Sequence, residues 1–119
     1  MKKTLVLGAS PNPLRMSNMV TQQLKNYGYE VIPLGIRKGE IAGLDIEVER
    51  ADYSDIDTIT LYLNPSLQKD YYNYILNLQP QRLIFNPGTE NYELAKLARE
   101  KGIHVEIGCT KVMLSLGHY

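Results

Sequence analysis

The chain has 119 residues, with 13 Lys and Arg against 13 Asp and Glu, so its formal net charge is zero. That length argues for one domain over residues 1–119, and the neutral balance argues against a basic protein that holds nucleic acid by neutralising phosphates. Hydrophobic residues are 44% and charged residues 22%, values of a packed globule, and no apolar run reaches the ~20 residues of a membrane span. The run after Met1-Lys2-Lys3 stops at Gly8, too short for a signal-peptide core. The single Cys109 offers neither an internal disulfide nor a cysteine-based metal cluster. We therefore expect a cytoplasmic domain with no nucleic-acid and no membrane partner.

Thr4-Leu5-Val6-Leu7 is a short continuous apolar run ended by Gly8, the pattern of a strand buried on both faces. Pro11, Asn12 and Pro13 mark a loop. Ser17 is placed to cap a helix starting at Asn18, in which Val20, Leu24 and Tyr27 share a face and Gly28 supplies the C′ residue. Glu30-Val31-Ile32 reads as a second strand ending at Pro33, and Ile46-Glu47-Val48 as a weaker one. Residues 56–63 read as a strong strand that ends at Asn64-Pro65.

Leu67, Tyr71, Tyr74, Ile75 and Leu78 then predict one face of a single helix, stopped by Pro80, with Tyr72 turned elsewhere. Arg82-Leu83-Ile84-Phe85 is the next strand, closed by Asn86-Pro87-Gly88. Leu94, Ala95, Leu97 and Ala98 form a helical face that stops at Gly102, and residues 103–107 give the last strand. Strands alternating with helices imply right-handed crossovers. The expected fold is α/β: a Rossmann-like, doubly wound parallel sheet of five to six strands with helices on both faces.

In such sheets a ligand binds outside the carboxyl ends of the strands. The segments there are residues 8–17, 33–38, 64–65 and 86–89, all rich in Gly, Pro, Asn or Ser. Residues of these types also simply terminate strands. The first loop says more: Gly8 permits close backbone approach, Ser10 and Ser17 can donate to phosphate oxygens, and Arg15 carries a planar fork for phosphate. The plainer reading, a solvated Arg15 and a capping Ser17, weighs equally on composition alone. The loop is not the dinucleotide fingerprint, because Ser10 and Pro13 stand where glycines belong, and no P-loop pattern occurs. After the second strand, where an NAD site would carry an acid, come Arg37 and Lys38. Two cations suit a ribose bearing an extra phosphate, as in NADP or coenzyme A, and they also suit a solvated turn beside Glu40.

The run Val6-Leu7-Gly8-Ala9-Ser10-Pro11-Asn12-Pro13 with Arg15 and Ser17 resembles the opening of small bacterial CoA-binding domain proteins. The likeness continues through Gly28-Tyr29-Glu30-Val31-Ile32-Pro33, Glu40-Ile41-Ala42-Gly43 and Ala51-Asp52, and through Asn86-Pro87-Gly88-Thr89-Glu90-Asn91. The domain is also similar to the nucleotide-binding part of the succinyl-CoA synthetase alpha subunit. This resemblance implies a site for CoA or acyl-CoA across the strand ends. Gly8, Ala9, Ser10, Arg15 and Ser17 would face the phosphates and Arg37 the adenosine 3′-phosphate, with Pro11 and Lys38 beside them among the expected cofactor-binding residues. Asn64, Pro65, Asn86, Pro87 and Gly88 would frame the adenine and the start of the pantetheine arm. Gly35-Ile36 replaces the family's Asn-Pro after the second strand, and Ile107-Gly108 replaces its Asp-Arg before the cysteine.

Catalytic equipment is scarce. His104 falls in the last strand and His118 in what reads as a mobile tail, and neither sits in a triad pattern. Cys109 reads as a small buried apolar residue, with a mixed disulfide to the CoA thiol as the alternative opened by the resemblance. The expected function is therefore non-catalytic binding of CoA or acyl-CoA as a carrier, sensor or accessory module, with an acyl-CoA enzyme or a second copy as partner. The alternatives are a small NADP-dependent oxidoreductase and an interaction protein with a degenerate nucleotide site.

Overall fold

A computed structural model describes residues 2–119. Its main sheet is built from five parallel strands, β1 (Lys3–Leu7), β2 (Glu30–Leu34), β5 (Thr58–Leu61), β6 (Arg82–Phe85) and β7 (His104–Ile107), in the order β2-β1-β5-β6-β7. Counting main-sheet strands alone, this is 2-1-3-4-5, a doubly wound order whose direction reverses between β1 and β5. Two short strands, β3 (Glu40–Ile41) and β4 (Leu44–Asp45), form a separate antiparallel hairpin. The helices are α1 (Met16–Asn26), α2 (Pro65–Gln68), α3 (Tyr72–Leu78), α4 (Tyr92–Glu100) and α5 (Thr110–Leu116). The Rossmann-like α/β expectation holds.

Period-two alternation divides each strand between two cores. Leu5, Leu7, Ile59, Leu61, Leu83 and Phe85 face α3 and α4, packing on Ile75, Leu78, Leu94 and Ala98. Val6 and Val31 face the other way, toward Val20 and Leu24 of α1, Leu114 of α5, and Ile41 and Ile46 of the hairpin region. That second face is the more polar one. It also buries Thr4, Thr58, Thr60, Arg82 and Thr110.

Several expectations are corrected. Helix α1 starts at Met16, with Arg15 as N-cap and no capping side chain, so Ser17 lies inside the first turn and is buried. β2 runs through Pro33, which an edge strand tolerates because the missing N–H costs no ladder bond. Residues 46–48 form no strand; Glu47 makes a single bridge to Leu34 beside the hairpin, whose turn sets Ala42 and Gly43 at φ 49° and 84°. The strand expected over 56–63 is shorter. The single helix expected from Leu67 to Leu78 is broken by a 3₁₀ turn at Lys69–Tyr71, leaving Leu67 exposed and Gln68 buried in its place. Tyr72 packs on the core and its hydroxyl accepts from Asn91 Nδ2 (2.8 Å). The chain end is anchored: α5 was not foreseen, and Tyr119 folds back on Thr4 and Arg82.

Candidate functional site

The carboxyl ends of β1, β2 and β5 meet around a groove of about 420 Å³, where the strand order reverses. The loop after β1 contributes residues 8–12 and Arg15, and the turn after β2 contributes Gly35, Ile36 and Arg37. Tyr62 and Leu63 follow β5, and Leu67 and Tyr71 come from the broken helical segment.

Close backbone packing shapes the floor. Gly8 sits at φ 101°, and a Cβ there would lie 2.9 Å from the Tyr62 carbonyl carbon. A Cβ at Gly35 would meet Ala9 O at 2.3 Å. The Gly8 and Ala9 N–H groups both donate to Leu34 O, at 2.9 and 3.0 Å, fastening the first loop to the end of β2. Within the loop, Asn12 N–H donates to Ser10 Oγ (3.1 Å), Leu14 N–H to Asn12 Oδ1 (3.0 Å), and Asn18 Nδ2 to Ser10 O (2.9 Å). These bonds hold the loop in one shape over α1. No side chain caps α1; Asn18 N–H donates to Arg15 O (3.1 Å), while the Met16 and Ser17 N–H groups and the helix's partial positive charge remain available to an anion.

The charged groups differ in what they already touch. Ion pairs among the described residues join Lys3 to Glu30, Arg50 to Asp70, and both Arg82 and His104 to Glu106. Arg15 and Arg37 take no part in them, and both are exposed at the groove. The groove also carries apolar side chains, Leu67, 54% exposed, and Ile36, 80% exposed. Tyr71 joins them with Arg50 stacked 3.7 Å over its ring. The Asp70 carboxylate, 2.6 Å away, holds the Arg50 pKa above its ordinary value by a direct hydrogen bond. Tyr62 brings a buried hydroxyl with no hydrogen-bond partner among the described residues, and burial pushes its pKa up.

The model of the CoA binding domain matches residues 2–115. The chain belongs to the CoA binding domain family. It is 52% identical to an uncharacterized protein of known crystal structure, over 100% of this chain and 98% of that one, with a TM-score of 0.98. A hypothetical protein from Pyrococcus horikoshii OT3 is 30% identical, over 92% of this chain and 78% of its own, with a TM-score of 0.82. A Thermus thermophilus structure at 24% identity shares the fold, with a TM-score of 0.86 over 99% of this chain and 90% of that one. No curated protein matches.

Against this family's expected site, Gly8, Ala9, Ser10, Pro11, Arg15 and Arg37 are brought together in the groove. Ser17 is buried and its carbonyl accepts from Thr21 Oγ1 (2.7 Å). Lys38 lines a different recess, beside Asp45, Glu47 and Glu49. Asn64 caps α2 by accepting from Leu67 N–H (3.1 Å), with Pro65 at the first helical position. Asn86 is fully engaged inside the protein: Nδ2 donates to Thr60 Oγ1 (2.7 Å) and Leu61 O (2.9 Å), and Oδ1 accepts from Thr110 N–H (2.9 Å). Pro87 and Gly88 form a turn closed by Thr89 N–H to Asn86 O (2.9 Å). The Gly88-Thr89-Glu90-Asn91 run is likewise structural, since Glu90 accepts from Gly88 N–H and Asn91 caps α4 while donating to Gln68.

Asn12, Gly35 and Ile36 line the groove from within the expected segments 8–17 and 33–38, whereas Tyr62, Leu63, Leu67 and Tyr71 lie outside those segments and were missed. For Leu67 and Tyr71 the signal pointed the other way, because their four-residue spacing read as a core face. Cys109 is half-buried at the N-cap of α5 and is not a lining residue of the groove.

Proposed function

We propose that the groove binds coenzyme A or an acyl-CoA without transforming it, the domain acting as a carrier, sensor or accessory module in the cytoplasm for an enzyme of acyl thioesters. The observation that carries this reading is the pair Arg15 and Arg37, uncommitted to any carboxylate, flanking a glycine-floored groove at the switch point. A ligand with two separate phosphate groups satisfies both. Arg15, the Ser10 hydroxyl and the open end of α1 would hold the pyrophosphate, and Arg37 the 3′-phosphate. The close approach at Gly8 and Gly35 lets backbone rather than side chain meet the ligand. Ile36, Leu67 and Tyr71 would cover its adenine. A cavity of about 420 Å³ suits the nucleotide portion, with the pantetheine arm leading outward.

The lining supports a binding role: it carries the hydroxyls of Ser10, Tyr62 and Tyr71 with no His, Cys, Asp or Glu beside them among the described residues to act as their base. Calorimetry with CoA, acetyl-CoA, NADP and NAD tests the reading. CoA or acetyl-CoA should bind best, and Arg15→Ala should weaken that binding. Tight NADP binding without CoA binding would replace it with the oxidoreductase reading, and no binding by any of the four with a degenerate site.

A further inference from the structure

The two edges of the sheet are finished differently. At the carboxyl end of β2 the outward backbone groups are engaged: Glu47 N–H donates to Pro33 O (2.8 Å) and Glu47 O accepts from Gly35 N–H (2.9 Å). Pro33 itself offers no N–H. At β7 there is no proline and, among the described residues, no strand or bridge on the outer side. His104 N–H donates to Gln81 O and Gly108 N–H to Phe85 O, both at 3.1 Å, so these residues face β6. Strand alternation then turns the N–H and C=O of Val105 and Ile107 to the open edge. One face of β7 packs on α4, while His104 and Glu106 lie on the other, their side chains 67% and 34% exposed. Ile107 is also 54% exposed at the strand's end.

From this geometry we infer that β7 is the contact between two copies of this chain, which pair antiparallel about a two-fold axis at Val105 and continue the sheet across the axis. The charges select both the occupant and the register. About Val105, the two Val105 residues exchange their outward N–H and C=O groups. His104 of each copy then stands opposite Glu106 of the other, in the pair type whose Cα atoms approach to about 4.5 Å. Within its own chain each Glu106 already lies 3.4 Å from His104 Nε2 and 3.5 Å from Arg82 Nη1, and the pairing adds a second imidazole donor to each carboxylate from the facing copy. Moving the axis to Glu106 would set two carboxylates face to face, which cross-strand pairing disfavours. A strand carrying His and Glu two residues apart on one face is complementary to itself, so a second copy is the partner that fits. Exposed strand edges are usually blocked by proline, bulges or covering loops. This protein blocks the carboxyl half of β2 in that way and leaves β7 open along its length.

Sedimentation equilibrium on the intact protein, up to ~1 mM, tests the inference. The average mass should climb from one chain toward two. His104→Glu, which sets like charges opposite each other twice, should raise the midpoint concentration about tenfold. His104→Lys, which keeps the complement, should leave it unchanged or lower it. Circular dichroism and melting would establish that both variants fold, as expected for an exposed side chain. Hydrogen exchange supplies the direct readout: the Val105 and Ile107 amides should become protected as concentration rises. A mass of one chain throughout overturns the proposal. So does a dimer indifferent to both His104 variants whose Val105 and Ile107 amides stay unprotected.

Discussion

At the amino end of the sheet, Arg82 lies 4.5 Å over the Tyr119 ring, donates from Nε to Thr58 Oγ1 (3.1 Å) and faces Glu106 at 3.5 Å. Lys2 donates to Tyr119 O (2.8 Å), Lys3 pairs with Glu30, and Tyr29 meets the Tyr119 ring edge-on at 5.1 Å. At the carboxyl end the same residue types recur, with Arg50 stacked on Tyr71 and bound to Asp70. Yet Arg15 and Arg37, which line the groove at that same end, have no carboxylate partner among the described residues. One end consumes its cations in holding the fold, and the other keeps two in solvent at a concave surface. A charge buried without a partner is costly, so Arg82 has to be surrounded, whereas an exposed arginine can wait for a ligand.

The contrast predicts that stability and ligand affinity separate by end. Tyr119→Ala removes the ring that covers Arg82 and the phenol that bonds Thr4, and should cost about 2–3 kcal/mol in denaturant unfolding. Its CoA affinity should not change; a parallel loss of affinity would mean the two ends are coupled. Gly35→Val should damage both quantities, since its Cβ would meet Ala9 O at 2.3 Å and force the first loop off β2. We expect a cost of about 1–3 kcal/mol and loss of CoA binding, read by melting and calorimetry on the same preparation. Arg15→Ala should do the reverse of Tyr119→Ala. Its melting temperature should hold, while CoA affinity falls about ten- to a hundredfold, the worth of a charge-assisted phosphate contact.

How far the sequence discloses this contrast depends on range. Strand positions are legible because continuous apolar runs such as Leu5-Val6-Leu7 and Leu83-Ile84-Phe85, buried on both faces, are local and strong signals. The first loop of the groove is legible because it too is local: Gly8, Ser10 and Arg15 lie in one segment between a strand and a helix. The amino end is not legible. Arg82 meets Tyr119 across 37 positions, and nothing in the run Arg82-Leu83-Ile84-Phe85 marks its first residue as a buried cation. The family resemblance implies that Asn86 frames the ligand, and only the fold reveals that Thr60, Leu61 and Thr110 occupy its hydrogen bonds. Gly35 seemed a mere departure from the family's Asn-Pro. Its value lies in the contact with Ala9, a residue from another strand's loop.

Arg50 provides the smallest test and the sharpest one, because it resembles Arg82 in chemistry while sitting at the open end. Its guanidinium stacks on Tyr71 and bonds both the carboxylate and the carbonyl of Asp70, at 2.6 and 2.8 Å. Asp70 is 81% exposed and Arg50 38%, so solvent screens the pair and the stabilisation is limited to about 1 kcal/mol or less. Arg50→Ala should therefore barely shift unfolding. It frees the 3₁₀ turn that presents Tyr71 to the groove, so CoA affinity should fall about two- to fivefold, through lost positioning rather than lost charge. Arg50→Lys distinguishes these causes: it keeps the charge but not the planar stack, and should behave like the alanine variant. If lysine instead restored affinity fully, Arg50 would belong with Arg15 and Arg37 as a long-range attractor of phosphate, and the open end would hold three ligand-directed cations in place of two.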